Sequence, residues 1–385
     1  MRSDDFSPAQ QPFVVTAERG YRAFLPPPLP PAVVIGPEQW RSLSNADRAI
    51  GELAGVARSL PNPLLLAQTL ARREAVLSSR IEGTLSSLSE LVLFEVEGPA
   101  GGGHDDVREV LNYVRAVEHV LAPNRRLPVS LPLLLEAHAI LMDGVRGGHA
   151  TPGEFRRSQN WIGSPGAVIV TASYVPPPPE RLWECLGPLE MYLHADRALP
   201  PLIDIALIHY QFEAIHPFLD RNGRVGRLLI VLLLVEWGLL PGAVLDLSAY
   251  IEPRRDRYYG ALMAVSTDGD WTGWIDFMLE VFEQQARDAA ARARALQELR
   301  DDFRRRVATT RASGLLPVLV DELFRVPALT ITRARDLLGV THRAATQNVE
   351  KLVAAGLLSE VPNSGRRRLF LATEVITAVE GHSPE

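Results

Sequence analysis

One stretch of twelve residues, HPFLDRNGRVGR, combines a histidine, an aspartate, two glycines and three arginines between His216 and Arg227. A histidine has an ordinary pKa of about 6.5, so His216 could act as a base near neutral pH. Asp220 offers one carboxylate, which together with phosphates and water makes a typical Mg²⁺ site. Arg224 and Arg227 could each donate two hydrogen bonds to phosphate oxygens. These residue types predict phosphate chemistry.

The apolar segment LLIVLLLVEW follows directly and predicts a buried helix that begins near Asn222. The first N–H groups of a helix have no partner within it, and Gly223 and Gly226 would let a phosphate approach them closely. Burial would keep these donors in fixed positions. The alternative is a polar loop whose arginines form only surface ion pairs. We favour the phosphate site because base, metal ligand, glycines and arginines all occur at one helix start.

The same stretch matches the signature of the Fic domain, H-P-F-x-[DE]-x-N-G-R-x-x-R, at every fixed position. GEFRRSQNWIG and ASYVPPPP resemble the Fic flap hairpin, and RRDRYYGALMAVSTDGDWTGWIDFML resembles the helices that close the adenine pocket. GYRAFLPPPLPP resembles the start of an N-terminal extension. The resemblance covers most of residues 20–285. It implies a mainly α fold, a Fic helical bundle with a β-hairpin flap, and transfer of AMP from ATP to a Ser, Thr or Tyr hydroxyl of a protein.

The resemblance also implies roles for individual residues. His216 would deprotonate the target hydroxyl, and Asp220 would bind Mg²⁺ between the α- and β-phosphates. Gly223 stands where family members that phosphorylate have a lysine, so this chain resembles the AMP-transferring members. The residues expected to bind the phosphates of ATP are Asn222, Gly223, Arg224, Gly226 and Arg227.

Two further segments are expected to contact ATP. Tyr259 would stack on adenine, and Ser266 stands where some relatives have an asparagine. In the flap, alternating apolar residues predict a hairpin with SPGA near its turn, whose edge could pair with a substrate strand. The alternative is an ordinary surface hairpin. Within residues 171–174 we expect Thr171 and Tyr174 to contact ATP.

A second informative segment, VLSSRIEGTL, lies before the core. Ser78 and Glu82 share a helix face, and Gly83 is a typical C-terminal stop. A glutamate at the negative end of a helix favours a cationic partner such as Arg227, although a solvated glutamate is the alternative. SSRIEG matches the Fic autoinhibitory motif, [ST]-x-x-x-E-[GN]. The resemblance implies an inhibitory helix at about residues 65–83, in which Glu82 prevents Arg227 from binding the γ-phosphate. In some relatives this glutamate activates water for AMP removal.

The C-terminal segment TITRARDLLGVTHRAATQNVEKL, followed by PNSGRRRLFLA, resembles a winged helix-turn-helix in which Thr341 caps the second helix. From Asp301 to Ala372 there are twelve Lys or Arg against seven Asp or Glu, about +5 in a chain of −6. This basic unit predicts DNA as a partner. The alternative is a winged helix for protein contacts or dimerisation. The candidate DNA-binding residues are Arg343, Gln347, Asn348 and Lys351 on the helix and Arg366, Arg367 and Arg368 on the wing.

The remaining sequence indicates how the chain is divided into structural units. Residues 1 to about 45 are rich in proline and predict an extended arm, two helices follow with a break at Pro61–Pro63, and Gly98–Asp106 predicts a linker. Ser130 predicts the N-cap of another helix, and helices are expected from Glu180 to about Leu299. The predicted units are an N-terminal extension (1–106), a Fic core (107–290), a linker helix (291–312) and a winged helix (313–385).

The whole chain of 385 residues has the composition of an ordinary globular protein. Cys185 is the only cysteine, which excludes an intrachain disulfide and a cysteine-based zinc site. The longest aliphatic run, Leu228 to Val235, has eight residues, whereas a membrane span needs roughly 20. No apolar signal segment begins the chain. We predict a cytoplasmic protein without a membrane partner, and a homodimer stays open.

The sequence thus predicts a self-inhibited protein adenylyltransferase that uses ATP and Mg²⁺ and modifies a protein hydroxyl. Two alternatives belong to other classes. The first is a DNA-binding transcriptional regulator whose core senses nucleotide, and the second is removal of AMP or transfer of another phosphate-containing group. The intact His216 favours the transferase because nucleotide sensing needs no base.

Overall fold

The structure, a computed structural model, describes residues 1–59, 63–97, 105–145, 150–164, 166–308, 314–362 and 368–381. Short strands accompany many helices, so the predicted mainly helical fold class is confirmed. The helices are α1 (Pro37–Ser59), α2 (Pro63–Ile81), α3 (Leu88–Glu97), α4 (Asp105–Val120), α5 (Leu131–Leu141), α6 (Leu182–His194), α7 (Pro201–Ile215), α8 (Asn222–Glu236), α9 (Ser248–Ile251), α10 (Arg255–Asp268), α11 (Trp271–Ala308), α12 (Leu316–Arg325), α13 (Ile331–Leu338), α14 (His342–Ala354) and α15 (Thr373–Glu380). The strands are β1 (Val14–Thr16), β2 (Arg22–Phe24), β3 (Ala328–Thr330), β4 (Ser359–Glu360) and β5 (Leu369–Leu371).

The centre of the fold is the pair of packed helices α7 and α8. Both are buried over nearly their whole length, and the predicted burial of α8 is confirmed. Burying one large aliphatic side chain contributes about 1.5–3 kcal/mol, so the run from Leu228 to Leu234 stabilises the position of α8 strongly. The N-terminal turn of α8 is therefore held in place by the core.

The N-terminal region is only partly the predicted extended arm. Strands β1 and β2 form an antiparallel hairpin in which Val14 lies opposite Phe24, and α1 begins already at Pro37. Strands of three residues are too short to show an alternating pattern. Proline is favourable at the first position of a helix, so Pro37 opens a helix where the proline content predicted an arm. Helix α1 is described to Ser59 and α2 from Pro63, and the predicted break at Pro61–Pro63 lies outside the described residues up to residue 62.

Helix α11 connects the central bundle to the C-terminal unit. It packs along α1 and is continuous from Trp271 to Ala308. The predicted boundary at residue 290 therefore falls inside one helix, and residues 291–308 are not a separate linker helix. The other unit bounds stay predictions.

The C-terminal unit consists of α12, β3, α13, α14, β4 and β5, with the antiparallel sheet order β3-β5-β4. Thr341 is confirmed as the N-cap of α14, because its hydroxyl accepts a hydrogen bond from Ala344 N at 3.3 Å. Gly339 ends α13 in the left-handed conformation, with φ of 64°. This element order is the one expected of a winged helix-turn-helix, and the assignment stays a prediction.

The flap, defined here as residues 154–178, differs from the predicted hairpin. One isolated antiparallel bridge, between Ile162 and Tyr174, is its only ladder contact among the described residues. Backbone N–H groups beyond the bridge form local turns instead, for example Thr171 N to Val168 O at 2.8 Å. The flap is fixed by the buried Arg156, whose guanidinium donates to His216 O and to Pro177 O.

Three smaller predictions can be compared with the structure. Ser130 occupies the N-cap position of α5, but its hydroxyl donates to Pro128 O rather than capping the helix. The predicted linker lies outside the described residues up to residue 104, and α4 begins at Asp105. None of the helices in the described ranges is long and apolar enough to cross a membrane.

Candidate active site

A cavity of about 600 Å³ opens at the N-terminus of α8. The flap, α7, α10 and the turn after α2 form its other walls. The lining residues are Glu82, Trp161, Ile162, Gly163, Ser173, Tyr174, Tyr210, Glu213, Ala214, His216, Gly223, Arg227, Tyr258, Tyr259, Leu262, Met263 and Ser266.

His216 lies on the cavity wall as the first residue after α7. Its backbone is left-handed, with φ of 49° and ψ of 59°, and this conformation turns the chain out of the helix. Nδ1 lies 3.2 Å from Glu213 O, and when Nδ1–H donates this bond Nε2 keeps its lone pair. Burial lowers the pKa of His216 to about 4. The ring is therefore neutral at pH 7, which is the state that a general base requires.

The loop between α7 and α8 is fixed from within by Asn222. Its Oδ1 accepts from Phe218 N, and its Nδ2 donates to Phe218 O, both at 2.8 Å. The buried Phe218 ring stacks on His138 with 4.0 Å between ring centroids. The Asn222 side chain is thus used inside the loop and does not line the cavity, against the prediction that it contacts phosphate.

Two different carboxylates lie where a Cβ on each glycine of the motif would fall. A Cβ on Gly223 would lie 2.3 Å from Glu82 Oε1 and 3.0 Å from Arg227 Nη1. A Cβ on Gly226 would lie 2.3 Å from Glu213 Oε1. Gly223 lines the cavity, as a phosphate-binding residue should, whereas Gly226 faces the side of α7. Gly226, which we predicted to contact a phosphate, is therefore not on the cavity wall.

Arg227 is fully buried and bound by the end of α2. Its Nη2 donates to Glu82 Oε1 at 2.7 Å, its Nε donates to Ser78 Oγ at 2.8 Å, and Nη2 also donates to Ser78 O at 3.0 Å. Gly83 has φ of 89° and ends the helix so that Glu82 turns towards the cavity. Burial acts to raise the pKa of Glu82, but Arg227 outweighs it and the pKa is lowered. Glu82 is therefore an anion at neutral pH.

Arg224 occupies a different place from the predicted one. Its buried guanidinium donates through Nη2 to Thr84 Oγ1 at 2.8 Å and to Glu109 Oε2 at 2.9 Å. Arg221 donates two further bonds to the same Glu109. Arg224 does not line the cavity, so its predicted role in binding phosphate is not supported by this geometry. It connects α8 to α4 and to the turn after α2.

The far end of the cavity is aromatic and apolar. Tyr259 lines it and is 44% exposed, and its stacking on adenine stays a prediction. Its neighbour Tyr258 is buried, and its hydroxyl bonds to His209 Nε2 at 2.8 Å. Ser266 also lines the cavity, but its Oγ already bonds to the hydroxyl of Tyr210 at 2.8 Å. This end offers aromatic and apolar surface of the kind on which a base can stack.

The flap contributes other residues than expected. Thr171 is exposed and absent from the cavity wall, and its hydroxyl bonds to Val168 O in a local turn. Tyr174 lines the cavity, but its hydroxyl donates a hydrogen bond to Ala214 O at 2.8 Å. The ATP contact of Thr171 stays a prediction, and Tyr174 offers only its ring. Trp161 and Ser173 line the cavity instead.

One charged residue of the wall was missed from the sequence. Glu213 lies one helical turn before His216, and this spacing of three residues could have indicated that both face the same side of α7. The sequence did not distinguish Glu213 because α7 contains other polar residues, Asp204, His209 and Gln211, which are buried and do not line the cavity.

Asp220 is the candidate Mg²⁺ ligand. Its side chain is half exposed, and its Oδ1 accepts from Arg221 N at 2.7 Å. In the described part of the chain no three His, Cys, Asp or Glu side chains cluster as a metal site. A single accessible carboxylate fits an ion that keeps most of its ligands from phosphates and water.

The candidate DNA-binding face is only partly as predicted. Arg343 and Gln347 are exposed on α14, Lys351 is half-buried, and Asn348 is buried. Arg368 forms ion pairs with Glu360 and Glu350, which neutralise it. Arg366 and Arg367 lie outside the described residues.

Comparison with known proteins agrees with the geometry. Residues 40–122 match the model of the Fic/DOC family N-terminal region, and residues 128–234 match that of the Fic/DOC family. A protein named protein adenylyltransferase Fic from Culex quinquefasciatus is 30% identical over 213 residues, which are 53% of this chain and 38% of that protein. Probable protein adenylyltransferase aq_aa38 from Aquifex aeolicus (strain VF5) is 29% identical over 51% of this chain and 58% of its own length. The chain thus spans less than two thirds of these relatives.

Solved structures share the fold. The crystal structure of a Fic family protein from Desulfovibrio desulfuricans G20 aligns with a TM-score of 0.58 at 22% identity, over 89% of this chain and 98% of that one. Fic-1 from C. elegans aligns with a TM-score of 0.52 at 19% identity, over 68% and 75%. At these identities the likeness is one of fold.

Proposed function

The chain belongs to the Fic/DOC family, and we propose that it is a protein adenylyltransferase that is normally self-inhibited. It would transfer AMP from ATP to a Ser, Thr or Tyr hydroxyl of a protein. The observation that carries the proposal is the neutral His216 in the same cavity as Gly223 and Arg227 at the N-terminus of α8. Base, backbone donors and cation are the groups that transfer of a phosphate ester needs.

The proposed reaction uses these groups as follows. The target hydroxyl attacks the α-phosphorus, its proton goes to His216 Nε2, and the bond to the bridging oxygen breaks so that pyrophosphate leaves. The N-terminal N–H groups of α8 and the Arg227 guanidinium neutralise charge on the phosphates. Arg156, by donating to His216 O, keeps the base at the cavity wall.

Asp220 would bind Mg²⁺, with the remaining ligands from phosphates and water. When bound, the ion would neutralise the phosphates and orient them. The chain itself contributes the accessible carboxylate beside the first turn of α8.

Self-inhibition would follow from the ion pair between Glu82 and Arg227. Arg227 donates through Nη2 to Glu82 and through Nε to Ser78, so these N–H groups are not available to the γ-phosphate of ATP. The carboxylate would also repel the phosphate, because both are anionic and the surroundings are buried. ATP would then bind in a pose in which His216 cannot deliver the hydroxyl to the α-phosphorus.

The test is mass spectrometry of the full chain after incubation with ATP and Mg²⁺, alone and with cell lysate. We expect an added AMP in Glu82→Gly, at least about tenfold more than in the parent, since the ion pair that occupies the Arg227 guanidinium is removed and its donors become free. Glu18→Gly, in the exposed turn between β1 and β2, is the matched control and should behave as the parent.

The double variant Glu82→Gly/His216→Ala should lose the adduct. Equal labelling in Glu82→Gly and the parent would contradict self-inhibition, and labelling that survives His216→Ala would contradict the role of His216. An adduct of another mass would indicate transfer of a different group. Binding of ATP without any adduct would favour a nucleotide-sensing, DNA-binding regulator.

Removal of AMP is the second candidate, because the Glu82 carboxylate lines the same cavity as His216 and could orient a water molecule. AMP-labelled protein made by Glu82→Gly should then lose its label when the parent is added without ATP. The same treatment with Glu82→Gln should leave the label in place. Persistence of the label with the parent would exclude this activity for that substrate.

A further inference from the structure

Helix α2 makes two sets of contacts on opposite sides. Ser78 and Glu82 bind Arg227 at the cavity, whereas Thr69 and Arg73 reach the C-terminal part of the chain. Thr69 and Ser78 are nine residues apart, roughly two and a half helical turns, so their side chains point to opposite faces of the helix. The helix that is expected to inhibit the site therefore lies between the cavity and the helices α12 and α15.

Thr69 binds the end of α12. This helix ends at Arg325, so the carbonyl of Phe324 is one of the last four, which have no partner inside a helix. The Thr69 hydroxyl donates to this carbonyl at 2.6 Å, and both residues are buried. In buried surroundings the loss of such a donor costs the desolvation penalty of the carbonyl, so this hydrogen bond fixes α12 against α2.

Arg73 lies four residues further along the same face of α2 and contacts the end of α15. Its Nη2 donates at 3.4 Å to the carbonyl of Glu380, the last residue of α15. Its Nη1 pairs with the buried Asp246, which precedes α9 in the central bundle. A cation is favourable at the C-terminal end of a helix, because the last carbonyls carry partial negative charge. Helix α2 therefore supplies hydrogen-bond donors to the ends of two C-terminal helices.

The reactive pose proposed for ATP requires that Arg227 exchange Glu82 for a phosphate. The end of α2 must then move away from α8. Helix α2 is continuous from Pro63 to Ile81, and it keeps its internal hydrogen bonds when it moves as a unit. Such a movement would separate Thr69 from the carbonyl of Phe324 on the other side of the helix.

We propose that the contacts of α2 with α12 and α15 are part of the self-inhibition, because they hold α2 where Glu82 reaches Arg227. The inference rests on the proposed function, since it assumes that Glu82 inhibits transfer. A ligand that binds the C-terminal unit and displaces α12 from α2 would raise the transfer activity. By thermodynamic linkage, displacement of Glu82 would in turn loosen α12. The C-terminal unit is therefore a regulatory unit for the cavity.

The test is the initial rate at which the full chain is labelled by radioactive ATP with Mg²⁺ in Thr69→Val, which keeps the shape of the side chain and removes its hydroxyl. We expect a rate at least about fivefold above the parent, the effect of losing one buried hydrogen bond in the inhibited state alone. In the Glu82→Gly background the same substitution should add nothing, because the inhibited state is already lost. Thr69→Ser retains the donor and should label as the parent does. Thr346→Val, whose hydroxyl bonds to His342 O within α14, is the matched control and should also label as the parent does.

Amide hydrogen exchange measures the same coupling without catalysis and without a substitution at Thr69. In Glu82→Gly the amides of α12 should exchange faster than in the parent, while exchange in the central helix α7 stays unchanged. Unchanged exchange in α12 would overturn the inference. A labelling rate of Thr69→Val that does not rise above the parent, or that rises equally with and without Glu82, would also overturn it. Absence of any AMP adduct in Glu82→Gly would contradict the proposed function itself, and that result is distinct from the others.

Discussion

Replacing Gly223 by alanine would test how closely Glu82 approaches the N-terminus of α8. The added Cβ would lie 2.3 Å from Glu82 Oε1, far inside van der Waals contact, and 3.0 Å from Arg227 Nη1. Because Glu82 Oε1 accepts from Arg227 at 2.7 Å, moving it away from the added Cβ would weaken that ion pair. Overpacking of this kind costs about 1–3 kcal/mol. Alanine in a helix regains at most about 0.5–1 kcal/mol relative to glycine.

The same substitution should behave differently once Glu82 is absent. In Glu82→Gly the nearest atom is gone, and only the terminal Arg227 nitrogen must shift by a few tenths of an ångström. Gly223→Ala should then be nearly neutral. The two substitutions are therefore expected to be non-additive by about 1–3 kcal/mol, the full overlap cost.

The assay is thermal unfolding of the parent, the two single variants and the double variant. About 1 kcal/mol corresponds to a change in Tm of roughly 2–4 °C for a domain of this size. Gly226→Ala is the matched control, because its Cβ would meet Glu213 and not Glu82, and it should be equally destabilising in both backgrounds. An equal loss of Tm for Gly223→Ala in both backgrounds would refute the contact.

Two more predictions concern buried histidine and DNA. Burial lowers the pKa of His209 to about 3, so below about pH 6.5 the unfolded chain binds a proton that the folded chain does not, and the free energy of unfolding decreases. In urea unfolding at pH 7 and at pH 5, the free energy of unfolding of His209→Gln should decrease by about 2 kcal/mol less than that of the parent. The exposed control His119→Gln should lose as much free energy of unfolding as the parent. If the C-terminal unit binds DNA, Arg343→Ala should weaken binding in a gel-shift series and reduce the slope of log affinity against log salt by about 1. Arg157→Ala on the flap is the control and should change neither the affinity nor the slope. No shift with any duplex at 50 mM salt would exclude the DNA prediction.

The local features of the site could be predicted from the sequence because they depend on neighbours in the chain. The apolar run after Arg227 predicts a buried helix, and the glycines before it predict a close approach to its N-terminus. The charge of Glu82 at the end of a helix predicts a cationic partner, and the structure contains the ion pair with Arg227. Thr341 caps α14 as expected because N-capping needs only one side chain and the next turn.

The structure differs from the expectation where a side chain had to be assigned to a partner far away in the sequence. Arg224 carries the same charge as Arg227, and no local signal distinguishes them. Helix α4 brings Glu109 next to Arg224, 115 residues away, whereas the turn after α2 brings Glu82 next to Arg227. Three-dimensional packing alone therefore decides which arginine faces the cavity. Arg227 lines the cavity together with its carboxylate partner Glu82. A ligand in the cavity could therefore replace Glu82 as the acceptor of the Arg227 hydrogen bonds.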